Sequence, residues 1–295
     1  MINSVEKADV LIEALPYMQK FAGKTIVVKY GGNAMVSEEL KRNVIQDIIL
    51  MKYVGMRPVV IHGGGPEITA MLRQLGKETT FTGGLRITDP ETVSVAEMVL
   101  VGKINTEIVT LLNQYGGRAV GLNGKDADLI VAQKHWAKVT ENGKTKEADI
   151  GMVGDVDRIN KGILLTLLDQ GYIPVIAPIG VGLKGETYNI NADSVAGEIA
   201  GALAAEKLLL LTDVEGIYRD YQDKSTFVST LSFGEAQEMI QSGSIDGGMI
   251  PKVEACIQAL KKGAAKTHIV DGRQPHSLLL EIFTNKGIGT EVVKE

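Results

Sequence analysis

Cysteine is almost missing from this chain of 295 residues: there is one, Cys256. A single thiol closes no internal disulfide, which excludes a disulfide-stapled secreted scaffold. Aromatic residues make up only 5 per cent. No apolar run approaches the ~20 residues a membrane helix needs. Neither sign of charge dominates, with 31 Lys+Arg against 36 Asp+Glu and a net charge of −5. Without a basic tail, that balance offers no footprint for nucleic acid. Met1 to Ala14 lack the basic flank and apolar block of a secretory leader. These absences point to a soluble protein of a reducing compartment, the cytoplasm, with no membrane or nucleic-acid partner. Glycine, by contrast, is abundant at 34 residues, above the usual ~7 per cent. It has no Gly-X-Y period, so collagen is excluded. The hydrophobic fraction of 44 per cent is enough for a core. Such glycine suits loops that pass close to a ligand.

Short β-branched runs alternate with amphipathic stretches. Buried strands are expected at Thr25–Tyr30, Pro58–His62, Ala119–Leu122, Asp128–Ala132, Ile173–Ala177, Lys207–Thr212 and Lys266–Val270. Between them, helices are expected at Ser37–Val54, Pro66–Leu75, Asp89–Tyr115, Asp157–Gln170, Ala192–Ala204, Phe233–Ser242 and Met249–Lys262. This repetition implies a mostly parallel sheet covered on both faces. Asp89-Pro90-Glu91 carries helix-start chemistry, and Gly55, Gly76, Gly171 and Gly263 sit where helices should end. Gln133–Gly151, with Glu141-Asn142-Gly143-Lys144 inside it, reads as a hairpin excursion, and Gly182–Gly185 as the turn of a second hairpin. A first helix, Val5–Phe21, stands outside the alternation, with Pro16 disturbing its middle. It suits packing on the sheet or on another subunit.

Some familiar motifs fail in context. Gly180–Gly185 matches G-x-G-x-x-G but does not open a helix, so it is read as a turn and not as a nicotinamide site. No P-loop, H-E-x-x-H or G-x-S-x-G occurs, and the four histidines are scattered, so no protein-ligated metal is expected. Other stretches carry more chemistry. Lys29-Tyr30-Gly31-Gly32 ends a buried strand with a cation and two exposed amides, a combination suited to an anion. His62-Gly63-Gly64-Gly65-Pro66 places three glycines between strand and helix, more than a turn requires. His62 itself suits a core or supporting place. Arg86 precedes a helix cap and can grip a carboxylate. Asn189, Asn191 and Asp193 precede or begin a helix of small residues, where capping and function are both open. Asp213-Val214-Glu215-Gly216-Ile217-Tyr218 ends a very apolar strand, where open sheets bind ligands. Ser244-Ile245-Asp246-Gly247-Gly248 leads into a helix whose first turn contains Lys252. A cation there opposes the helix dipole, a cost explained by a facing polyanion.

In this order the segments Lys29–Met35, His62–Gly65, Asn123–Asp126, Asn189–Asp193 and Asp246–Lys252 resemble the amino-acid kinase family along essentially the whole chain. Within it they resemble the arginine-sensitive branch acting on N-acetyl-L-glutamate. The resemblance implies a three-layer αβα sandwich. Residues 1–22 would be an oligomerisation helix, 23–180 a substrate lobe with the dimer contact, and 181–295 a nucleotide lobe. The implied activity is ATP-dependent phosphorylation of the side-chain carboxylate of N-acetyl-L-glutamate, a step of arginine biosynthesis, with Mg²⁺ carried mainly by ATP. By that similarity Lys29 and Lys252 stabilise the transition state and Asp193 positions them. Gly64, Gly65, Arg86, Asn189 and Asn191 would bind acetylglutamate. Gly31, Gly32, Asp213, Val214, Gly216, Ile217, Tyr218, Ser244, Ile245 and Asp246 would bind ATP. Tyr17, His268, Glu281 and Gly287 would bind L-arginine as a feedback inhibitor, in a homohexamer built as a trimer of dimers. A PII-type signalling protein is a candidate partner, as in some relatives. Two alternatives remain at this level: a family member acting on aspartate, glutamate, carbamate or a nucleoside monophosphate, and a non-catalytic sensor of ATP and an amino acid.

Overall fold

The structure, a computed structural model, describes residues 3–35, 37–82, 84–141 and 144–295. The strands begin with β1 (Thr25–Tyr30), β2 (Arg57–His62), β3 (Phe81–Thr82) and β4 (Leu85–Arg86). Next come β5 (Ala119–Asn123), β6 (Ile130–Glu141), β7 (Lys144–Ile159), β8 (Ile173–Ala177), β9 (Ile179–Val181) and β10 (Thr187–Asn189). The last are β11 (Lys207–Thr212), β12 (Ile217–Tyr218), β13 (Phe227–Val228), β14 (Thr230–Ser232), β15 (Lys266–Asp271) and β16 (Thr290–Val293). The helices are α1 (Ser4–Phe21), α2 (Glu38–Tyr53), α3 (Gly65–Gln74), α4 (Pro90–Glu97) and α5 (Thr106–Gln114). They continue with α6 (Gly162–Asp169), α7 (Ala192–Ala202), α8 (Phe233–Gln241), α9 (Ile250–Lys262) and α10 (Ser277–Ile282).

Eight strands pair in the order β14-β16-β15-β11-β1-β2-β8-β5. From β15 to β5 every pair is parallel, and β16 runs antiparallel to β15 at one side. Strand periodicity divides the core between the two faces. Val27, Leu208 and Leu210 pack in one cluster with α7 and α9 residues such as Val195, Ile199 and Val253. Ile26, Val28, Leu209 and Leu211 pack in the other with α2 and α10 residues such as Ile45, Ile48 and Leu278. The mostly parallel sheet with helices on both sides is the expected architecture.

Most predicted elements match within a residue or two, and three differ. The rod at 89–115 is not one α-helix: a π-helical segment, Met98–Asn105, separates α4 from α5. The helix expected at Asp157–Gln170 begins only at Gly162, because Arg158 and Ile159 pair with Val131 and Ile130. The hairpin expected at Gln133–Gly151 is correspondingly longer. Its strands β6 and β7 close with β9 and β10 into a small barrel. The Asn142-Gly143 turn expected at its tip lies outside the described residues, as does Gly83. Gly180–Gly185 does form the β9–β10 hairpin and its turn. Pro16 is accommodated inside α1, which Asn3 and Glu6 start with a capping box.

Candidate active site

The carboxyl ends of β1, β2 and β11 lie side by side, with β2 on one flank of β1 and β11 on the other. Open α/β sheets form their ligand crevices at such places. Lys29 lies one residue before the end of β1 and is buried. Asp193 and Lys252 come from the first turns of α7 and α9. These helices approach closely because α7 is built of small residues. A Cβ on Gly197 would lie 2.6 Å from the Ala255 carbonyl oxygen, and one on Gly201 would lie 2.5 Å from Lys262 Cβ. That approach brings the two first turns together. Asp193 Oδ1 is 3.0 Å from Lys29 Nζ, and its Oδ2 accepts a hydrogen bond from Lys252 Nζ at 2.8 Å. Burial pushes the Asp193 carboxyl up, but the two ammonium groups outweigh it and hold it below the usual carboxylate range. Asn191 is the N-cap of α7, its side chain accepting from the amides of Asp193 and Ser194. The open choice between capping and function is thus divided: Asn191 caps, and Asp193 is left for the lysines.

Lys29 and Lys252 line a cavity of about 480 Å³. Its walls include Gly32, Asp213, Val214, Gly216, Ile217, Tyr218, Ser244, Ile245 and Asp246. Gly31, expected in the nucleotide site, is not part of this lining, and a Cβ there would sit 2.7 Å from Lys29 Nζ. Gly32 has φ of +67°, and a Cβ there would collide with the Asp213 carboxylate. Tyr221 also lines the cavity, edge-on to Tyr218 at 5.8 Å. Lys224 lies over both rings, at 4.3 and 4.5 Å. No short motif marks Tyr221, so the sequence alone does not assign it to the site.

A second cavity of about 200 Å³ is lined by Gly63, Gly64, Gly65, Arg86, Asn189 and Asn191, together with Phe81 and Ala192. The β3–β4 register puts Phe81 opposite Arg86, whose guanidinium lies 4.8 Å over the ring. Arg86 Nη2 donates to the Gly65 carbonyl at 2.9 Å and to Thr69 Oγ1 at 2.8 Å, whereas its buried Nη1 has no partner. One edge of the guanidinium is therefore anchored, with donor capacity to spare at Nη1. No side chain caps the N-terminus of α3 at Gly64. Neither Phe81 nor Thr69 belongs to a motif that marks it as functional. The Gly83-Gly84 pair, between Phe81 and Arg86 in the sequence, is the local cue that would suggest a turn joining them.

The third group lies at the opposite edge of the sheet. A cavity of about 550 Å³ is lined by Tyr17, His268, Glu281 and Gly287, and also by Lys20, Lys207, Asn285 and Glu291. Lys207 opens β11, and Tyr17 reaches over from α1 to donate to Asn285 Oδ1 at 2.5 Å. His268 Nδ1 is 2.6 Å from Glu281 Oε1, and Lys207 Nζ is 2.9 Å from His268 Nε2. Burial lowers the His268 and Lys207 pKa values. Burial raises that of Glu281, but His268 and the amides of Ile288 and Gly289 hold it below normal.

Among the described residues, no three or more His, Cys, Asp or Glu side chains group as a cation site. Asp193 is committed to two lysines. This donor set fits a Mg²⁺ held by nucleotide oxygens and water, without a protein cage. Among the described residues no helix is long and apolar enough to cross a membrane.

A sandwich with one lysine at a strand end and another at a helix start, both held by one carboxylate, with a nucleotide-sized cavity and a smaller cavity lined by Arg86 and two asparagines, defines a small-molecule phosphotransferase. More specifically, the chain belongs to the amino acid kinase family, whose profile matches residues 24–271. It is 59% identical to the acetylglutamate kinase of Moorella thermoacetica over 292 residues, 99% of each chain. It is also 59% identical to that of Heliobacterium modesticaldum over 295 residues, the whole of both. Among solved structures it is similar to N-acetylglutamate synthase from Neisseria gonorrhoeae complexed with coenzyme A and N-acetyl-glutamate, with TM-score 0.83 and 27% identity. That match covers 98% of this chain but 63% of the synthase, so this chain spans less than two thirds of it. Carbamate kinase from Giardia lamblia bound to AMP-PNP shares the fold, with TM-score 0.66 and 18% identity.

Proposed function

We propose that this enzyme transfers the γ-phosphoryl group of ATP to the side-chain carboxylate of N-acetyl-L-glutamate, giving an acyl phosphate and ADP in the cytoplasm. One observation carries the reading. Lys29 and Lys252, bracketing Asp193, line the larger cavity, while Asn191 and Ala192, directly before Asp193, line the smaller one. ATP fits the first, and an acylated amino acid with two carboxylates fits the second, where Arg86 and the α3 amides receive negative charge. Two ammonium groups against one carboxylate leave a net positive charge where the phosphoryl group would pass.

The nucleophile needs no general base. A glutamate side chain has a pKa near ~4.3 and is already ionised at neutral pH. The obstacle is repulsion between that carboxylate and the triphosphate. Lys29 and Lys252 spread the charge, Asp193 holds both lysines in place, and the Gly31-Gly32 and Gly64-Gly65 amides supply fixed donors, the Gly63 amide being taken by the Tyr30 carbonyl. Mg²⁺ bound to the nucleotide would neutralise charge on the β- and γ-phosphates. The test is ADP release measured across N-acetylglutamate, glutamate, aspartate, carbamate and UMP. N-acetylglutamate should stimulate it most, and no stimulation by it defeats the reading.

A regulatory reading is favoured by the cavity at the far edge. Buried Glu281, shared with His268, suits a guanidinium, and Tyr17 ties that cavity to α1. A synthase relative is solved complexed with coenzyme A and L-arginine. The exposed apolar residues Val10, Leu11 and Leu15 on α1 suit a contact between copies in a hexamer. Only dimers in the ultracentrifuge, with activity unchanged by millimolar arginine, would remove this reading.

A further inference from the structure

His62 ends β2 and is fully buried, yet the transfer chemistry gives it no task. Its hydrogen bonds are specific. Nδ1 is 2.9 Å from the carbonyl oxygen of Gly63, the next residue. Nε2 is 3.2 Å from Asn105 Nδ2. The same Asn105 amide donates to the Val175 carbonyl at 2.9 Å, which requires the NH₂ end of Asn105 to point this way. An NH₂ group only donates, so Nε2 is the acceptor and Nδ1 carries the proton. Burial lowers the His62 pKa to about 4, against a weaker opposing effect from its bond to Gly63, so the ring is neutral at pH 7.

Two features place Asn105. It ends the π-helical segment of the 90–114 rod, a distortion frequent at functional sites. Gly121 on β5 leaves room for its side chain, because a Cβ there would collide with Asn105 Oδ1. Leu100 and Ile104 of the same segment press on Gly64, where a Cβ would meet both. The π-helical segment thus touches the glycine loop from below at two points: through His62 and directly at Gly64.

We propose that His62, fixed by Asn105 as its Nδ1–H tautomer, is a positioning residue that aims the Gly63–Gly64 peptide at the acceptor. The peptide is planar and trans, so C=O and N–H point to opposite sides. With the Gly63 carbonyl turned inward onto the imidazole, the Gly64 N–H turns outward, toward the cavity that Gly64 lines. Among the described residues that N–H has no protein acceptor. It is the kind of fixed donor that stabilises oxyanion charge in group transfer. With the opposite tautomer, an Nδ1 lone pair would face the Gly63 oxygen and push the peptide over.

This inference rests on the reading that the smaller cavity holds the phosphoryl acceptor. The experiment therefore has two arms, and its kinetics use whichever acceptor of the panel drives ADP release. The first arm records the ¹⁵N spectrum of His62 in the wild-type protein at pH 7. The Nδ1–H tautomer is expected, and an Nε2–H tautomer or an imidazolium overturns the proposal whatever the substrate proves to be. The second arm compares His62→Asn, whose amide nitrogen can replace Nδ1–H, with His62→Leu, which donates nothing. His62→Leu should lose roughly 100-fold in kcat/KM for the acceptor, with KM for ATP within about threefold, while His62→Asn stays within about tenfold of wild type. Equal activities in the two variants, or equal losses toward acceptor and ATP, overturn the proposal. If neither variant folds, the tautomer decides.

Discussion

Among the described residues, two buried three-member clusters of charge stand at opposite ends of the strands of one sheet. Lys29, Asp193 and Lys252 sit at the carboxyl ends of the strands, and Lys207, His268 and Glu281 sit toward their amino ends. The first is a carboxylate clamped between two cations on separate helix and strand ends, beside open cavities. The second is a relay in which a lysine donates to a histidine that contacts a carboxylate, under a cavity roofed partly by α1. The first leaves positive charge to be met by a polyanion. The second presents an acidic end, at Glu281, that suits a cation. One sheet thus offers opposite electrostatics at its two ends, which suits catalysis at one and an effector at the other.

The largest expected effect breaks the first cluster. Lys252→Ala should lower kcat by roughly 1,000-fold or more while KM for ATP moves less than about threefold, because the missing charge acts on the transition state. A variant that lost nucleotide affinity alone would contradict that role. The next concerns pH. His62 titrates near 6.5 in the unfolded chain and at about 4 when folded. The unfolded state binds the proton first, so this group's contribution is complete above pH 6.5 and is lost as pH falls toward 4. The sum is about 3 kcal/mol. Denaturant titrations should show wild type losing about that much more than His62→Asn between pH 7 and 4, and parallel pH curves would contradict it. Breaking the second cluster should cost less. If the far cavity takes arginine as proposed, Glu281→Gln should weaken inhibition by it roughly tenfold, as for loss of one charge-assisted bond. Tyr17→Phe, losing only its bond to Asn285, should shift the arginine midpoint by about threefold. Inhibition curves unchanged in both variants would dissociate this cavity from arginine.

The two clusters also differ in how legible they are in the sequence. The edge that holds Lys29 and Lys252 is made of strand ends followed by glycine pairs and helix starts, and each of these has a local signature. Lys29-Tyr30-Gly31-Gly32 and Gly247–Lys252 stand out by composition and spacing alone. Asp193 does not separate from Asn191 in that way, since either could cap α7, and only the positions of the lysines resolve them. The far edge has no such signature. Glu281 and His268 meet because β15 and α10 fold back on each other, and only the family resemblance points to them. The π-helical segment is invisible for a related reason: its apolar spacing continues that of the α-helices on either side. The end of β7, Asp157–Ile159, carries a polar pattern that also suits a helix start, which is why a helix is expected there. Its true partner, β6, lies across a hairpin.

The most direct test of the account is hydroxylamine trapping of the acyl phosphate. With ATP and N-acetylglutamate, the wild-type enzyme should yield N-acetylglutamyl hydroxamate as fast as it releases ADP. Lys252→Ala should yield roughly a thousandth of that. ADP release without hydroxamate, or undiminished hydroxamate from Lys252→Ala, would contradict phosphoryl transfer to a carboxylate between these two lysines.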